Sequence, residues 1–247
     1  MSRWKAAGIH LSANAVIATL ALALIFLVWY PHPYSQAAGA GMLALLLLGV
    51  DLVLGPLLTL VVYKTGKKGL RFDLTLIVLL QIAAFAYGMH VVARARPAFI
   101  VANIDRLNLV AANDIDAADF AKAARPQFAS APWSGPMLIG ARLPTDIAAR
   151  NRLALAGPGG KDIDVLPQYY TDYTAAVPDL LAHAKSVDAL RKAHADQARV
   201  VDDWLRGQQL SADQVRCVPL VGRSGALTAM LDSRSGALLD VLAIDPW

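Results

Sequence analysis

Three apolar stretches, Leu11 to Tyr30, Gly41 to Tyr63 and Leu74 to Ala93, fall within the first 96 of 247 residues. Each is about twenty residues long, enough for an α-helix to cross a hydrocarbon core of about 30 Å. Backbone polar groups find no water in hydrocarbon, so a spanning segment must satisfy them internally, as a helix does. Three transmembrane helices in residues 1–96 are therefore predicted, followed by a domain over 97–247. Arg3 and Lys5 ahead of the first run fit a signal peptide, but the run is too long for one. It also ends in Trp29-Tyr30-Pro31, an aromatic interface anchor rather than a small-residue cleavage site. It is expected to be retained.

The charges give a direction. Residues 1–96 hold eight Lys/Arg against two Asp, whereas 97–247 hold fifteen against seventeen Asp. The pI of about 9.3 thus reports cations flanking membrane segments, not a nucleic-acid surface. Lys64, Lys67, Lys68 and Arg71 lie between the second and third runs, with Asp73 opening the third. By the positive-inside rule this loop and the N-terminus face the cytoplasm, and the C-terminal domain lies outside it. The same loop lacks the spacing of a phosphate-binding loop; its expected role is topology and contact with lipid headgroups.

A carboxylate within a hydrophobic span is costly and so is a functional candidate. Asp51 is one, and Gly55-Pro56 follows it by one turn. Proline has no N–H, so a kink is expected there, with the carbonyl of Leu52 left free. Counting depth from the span ends places Gln81 of the third run and Thr19 of the first beside Asp51. Two readings stay open: a buried aspartate satisfied within the chain, or a contact for a polar group on another protein's membrane helix. An intramembrane aspartyl protease needs two carboxylates about 3 Å apart. The other candidate, Asp73, is some 18 Å away along the helix direction, which excludes it.

The domain after Pro97 reads as α+β with an antiparallel sheet. Strands are predicted at Phe99–Ile104 and Leu107–Ala111 around an Asp105-Arg106 turn. Three more are predicted at Val215–Val221, Ala226–Asp232 and Ala237–Ile244, joined by Gly-bearing polar turns. Short helices are expected at Asp116–Ala124 and from Thr145 or Asp146 to Ala156, with helical patterns between Val177 and Arg206. Residues 126–136 read as loop. Tyr169, Tyr170 and Tyr173 make either a recognition patch or a local core cluster. Cys217 is the sole cysteine and the five histidines lack ligand spacing, so neither a metal nor a cofactor is expected. No nucleophile elbow or dinucleotide fingerprint occurs, and no enzyme is predicted.

These residues resemble a known family. The run Asp51-Leu-Val-Leu-Gly-Pro-Leu-Leu-Thr59, the loop Lys64-Thr-Gly-Lys-Lys-Gly-Leu-Arg-Phe-Asp73 and Gln81 are similar to the type IV pilin accessory proteins of the TfpX/TfpZ kind, related to FimB. So are Ala95-Arg-Pro97, Leu166-Pro-Gln-Tyr-Tyr170 and the ending Asp245-Pro246-Trp247. The resemblance implies a bacterial inner-membrane protein that helps a pilin be assembled or displayed, in a family for which no catalytic activity is established. Its implied partners are the major pilin, held in the membrane by a single helix beneath a globular head, and the pilus assembly machinery. Asp51, Gly55 and Pro56 would then make the intramembrane contact, and the tyrosine loop would meet the pilin head. The alternative from another class is a membrane-anchored inhibitor or immunity-like protein acting against an envelope effector.

Overall fold

The computed structural model describes residues 2–156 and 161–246. Helix α1 (Arg3–Leu24) starts well before the apolar run. The Ser2 hydroxyl accepts from the N–H of Lys5, which satisfies one of the orphan donors of the first turn. A π turn (Ile25–Trp29) extends α1 to its aromatic end. A short α2 (Tyr34–Ala37) leads to α3 (Ala40–Gly49), a second π turn (Val50–Leu54) and α4 (Gly55–Val62), then α5 (Leu70–Arg94). The three continuous spans, Arg3–Trp29, Ala40–Val62 and Leu70–Arg94, are long and apolar enough to cross a membrane. Leu20, Val61 and Leu80 point outward, an apolar surface that hydrocarbon would cover at no cost.

At Pro97 the chain changes from helix to strand. In order come β1 (Pro97–Asn103), β2 (Arg106–Ala111), α6 (Ala117–Phe120), β3 (Met137–Ala141), α7 (Ile147–Ala156) and β4 (Tyr170–Thr171). Then follow α8 (Tyr173–His183), β5 (Lys185–Ser186), α9 (Val187–Ala193), α10 (Ala198–Gln208), β6 (Val215–Gly222), β7 (Gly225–Asp232) and β8 (Leu238–Leu242). They form one sheet, ordered β4-β3-β1-β2-β6-β7-β8, with β5 on β6. The predicted antiparallel sheet is corrected here: β3 runs parallel to β1, and β6 parallel to β2. Hairpin neighbours are antiparallel. The strands that return through long connections can cross over and pair in parallel. Strand β3 follows the predicted 126–136 loop and was missed, because Met137-Leu-Ile-Gly-Ala141 has no polar residue to show alternation.

Side chains alternate across β1. Ile100 and Ala102 join α8, β6 and β7 on one face, and Phe99 and Val101 join Phe128, Ile139 and Tyr170 on the other. Helices α9 and α10 close a third cluster over Cys217 and Met230. Ala37 of α2 belongs to the first of these cores, and the Ser224 N–H donates to its carbonyl at 2.8 Å. At the same junction Arg96 donates to the carbonyls of Ala93, Ala131 and Pro132. Its guanidinium lies 5.5 Å from the Trp133 ring, and Trp29 meets Trp133 edge-on. The Tyr30 hydroxyl donates to the Val92 carbonyl at 2.8 Å. Burial pulls the Arg96 pKa below its ordinary value, but guanidinium stays charged in proteins, and the carbonyls around it supply acceptors.

Candidate functional site: a polar cluster among the helices

The π turn explains how Asp51 is presented. In the i→i+5 pattern, the donor owed to the Asp51 carbonyl is the N–H of residue 56, and residue 56 is proline, which has none. Proline is tolerated there because it sits in the first turn of α4. The orphan carbonyl is thus that of Asp51, one residue before the predicted Leu52. Two side chains take it: Asn14 Nδ2 of α1 at 2.7 Å and Gln81 Nε2 of α5 at 3.4 Å. Gly55 makes room, since a Cβ there would lie 1.9 Å from Gln81 Nε2. Between α1 and α4, His10 Nδ1 and Thr59 Oγ1 are 2.6 Å apart.

Satisfying the backbone leaves the side chains short. Asp51 is 9% exposed, yet its Oδ1 and the Oε1 of Gln81 are buried without a hydrogen-bond partner among the described residues. Each such orphan costs about 1–3 kcal/mol, so both call for an explanation. Two cavities touch Asp51. One, of about 250 Å³, lies between α3 and α5 along Leu43, Leu47, Ala84 and Gly88. The other, of about 150 Å³, lies between α1 and α5 and is lined by Asn14, Ile17, Gln81 and Ile82.

Gln81 therefore meets Asp51 as predicted, but through the backbone carbonyl and not the carboxylate. Thr19 is corrected: it is exposed and donates to the Ala15 carbonyl. Asn14 takes its place: it lies further from the outer end of its span at Trp29 than Asp51 does from Ala40, so equal counting from the outer ends stopped short of it. Pro56 faces another groove, beside Trp4, Gly8 and Leu11. Sequence reasoning did not place His10, Asn14 or Thr59 in this cluster. The signal was the i, i+4 spacing of His10 and Asn14, which puts two polar side chains on one face of an apolar helix.

Lys64, Lys67, Lys68 and Arg71 are exposed around the loop. Lys67 pairs with Asp73 at 2.7 Å, and Asp73 sits in the first turn of α5, where a carboxylate favours the helix dipole. Of the three tyrosines, Tyr170 is core. It contacts Phe99 and Phe128 edge-on and donates to the Asp164 carbonyl; burial raises its pKa. Tyr173 is half-buried and donates to the Gly236 carbonyl at 2.6 Å, with its pKa pushed up to about 12 by burial. Tyr169 is half-buried against the same core as Tyr170. In the terminal motif Asp245 is exposed and Pro246 buried; Trp247 lies outside the described residues. No group of His, Cys and Asp able to hold a metal occurs among the described residues.

The profile of the family described as Fimbrial assembly protein FimB matches residues 1–39, which include His10 and Asn14. Two curated relatives from Dichelobacter nodosus match nearly end to end. The fimbrial assembly protein of serogroup I is 32% identical over 92% of this chain and 90% of its own length. That of serogroup E1 is 31% identical over the same shares. A third, of serogroups C1 and C2, is 38% identical over 45% of this chain and 86% of its own length. No solved structure matches. With identity above 30% across nine-tenths of both partners, the chain belongs to the FimB fimbrial assembly protein family.

Proposed function

We propose that this chain is a bacterial inner-membrane accessory protein of type IV pilus biogenesis, which assists the assembly, display or retraction balance of a specific pilin by direct contact. The three long helices of residues 1–96 would cross the bilayer, with the N-terminus and the Lys64–Arg71 loop at the cytoplasmic side and residues 97–247 in the periplasm. The protein would act by binding, with no reaction of its own. The observation that carries the reading is the Asp51 carboxylate, buried among three apolar helices with Oδ1 unpaired, in a chain whose relatives are named fimbrial assembly proteins. A buried carboxylate oxygen that finds no partner among the described residues is best explained by a partner elsewhere. Those names lend no support to the immunity-like alternative.

The test is Asp51→Ala in cells that make the cognate pilin. Surface piliation and twitching should fall several-fold while the level of this protein in the membrane holds. Normal piliation at an unchanged protein level would sink the role of Asp51.

A further inference from the structure

Helix α1 packs along α4, and α5 packs along α3 and α4, but α1 and α5 have little direct contact. Between them lies the 150 Å³ cleft, with Ile17 and Ile82 as its half-exposed walls and Asn14, Asp51 and Gln81 at its floor. Ordinary helix packing would place a fourth helix in such a gap. The orphan atoms of two of these floor residues, Asp51 Oδ1 and Gln81 Oε1, are both acceptors. Asn14 Nδ2 and Gln81 Nε2 are already committed to the Asp51 carbonyl. Each amide is seen giving an N–H to that carbonyl, and no donor among the described residues reaches either orphan acceptor. An occupant that completes the site must bring a donor to mid-membrane depth. A fatty-acyl chain has none.

Resting on the accessory reading above, we infer that the α1–α5 cleft is the docking track for the pilin's single transmembrane helix, engaged through an amide, hydroxyl or ammonium donor on that helix. The donor bonds Asp51 Oδ1 and Gln81 Oε1, while Ile17 and Ile82 pack against its flanks. Two small residues of the bundle are already used: the place of a Cβ on Gly88 is filled by Leu47, 2.4 Å away, and that on Gly55 by Gln81. Gly55 and Pro56 accordingly build the site from behind and do not touch the client. Pairing two desolvated acceptors with a donor favours one depth and one rotation of the incoming helix, which a purely apolar groove would not fix.

A photoreactive residue placed at position 17, 82 or 61 of the full-length chain, in cells that also make pilin, tests this. Val61 is 79% exposed and does not line the cleft, so it is the control. Positions 17 and 82 should yield adducts with pilin, and position 61 at least about tenfold less. Asp51→Leu, which deletes the acceptor at similar volume, should lower the adduct from position 82 by about tenfold or more. Ile17→Trp fills the cleft without removing a polar group, and should do the same should Asp51→Leu not accumulate. Equal yields at all three positions, adducts with lipid alone, or yields unmoved by both substitutions would overturn the cleft. Absent cleft adducts, with piliation still lost on deletion, would remove the cleft and keep the accessory role. Cleft adducts with normal piliation on deletion would keep the docking track and remove the role.

Discussion

At Gly55 the absence of one methyl group decides whether Gln81 reaches the polar cluster, because a Cβ would occupy the place of its amide nitrogen. Gly55→Val should expel Gln81 and strip a donor from the Asp51 carbonyl. Overpacking of this kind costs about 1–3 kcal/mol, read as a lower midpoint of thermal unfolding in detergent. Gly41→Ala, where a Cβ meets nothing within 4 Å, should leave the midpoint unchanged or slightly raised. Asp51, Gly55, Pro56 and Gln81 were all legible in the sequence, since a charge, a helix breaker and an amide stand out in an apolar run. Which atoms of Asp51 would be satisfied was not legible. That depends on the helix switching to i→i+5 bonding before Pro56, a backbone choice that side-chain patterns do not encode. His10 and Asn14 escaped for a plainer reason: the apolar run was started at Leu11, which hid the face they share.

Among elements, the π turn at Val50–Leu54 sets the cluster in place, and Pro56 keeps the Asp51 carbonyl free for Asn14 and Gln81. Pro56→Ala restores the missing N–H. The turn can then bond its own carbonyls, and Asn14 Nδ2 and Gln81 Nε2 lose the acceptor they share. Amide exchange in the peptide around residues 50–57 should slow, because a local weak point has been closed, while piliation should drop toward that of Asp51→Ala. Faster exchange would mean that proline stabilises the bend rather than frees the carbonyl. In the sheet the hairpins β1–β2, β6–β7 and β7–β8 were legible, since each pairs neighbours across a short turn. The parallel pairs β1–β3 and β2–β6 were not. They join segments separated by long connections, and sequence periodicity reports which face a residue takes, not which strand it lies beside.

For the whole molecule, the junction between helices and sheet carries as much specific bonding as the polar cluster does. The sequence placed a boundary at residues 96 and 97, where helix gives way to strand. It gave no sign that α2, lying between two apolar spans, would pack into the sheet core through Ala37. Gly222 of β6 permits that contact, because a Cβ there would lie 2.5 Å from the Ala37 carbonyl oxygen. The Ala37 carbonyl also accepts from the Ser224 N–H, so anything that lifts α2 breaks a bond as well as a contact. Gly222→Val should therefore act as a wedge, costing about 1–3 kcal/mol from overpacking. It should open the segment around residues 31–39 to protease in detergent micelles. Gly207→Val, where a Cβ meets nothing within 4 Å, should do neither. Piliation separates the two meanings of the junction. A bundle that holds a pilin helix while the sheet positions its head needs both on one rigid frame, so Gly222→Val should reduce piliation although it touches neither the cleft nor the tyrosines. Full piliation with an opened junction would show instead that the helices suffice and that the sheet contributes through its own surface alone.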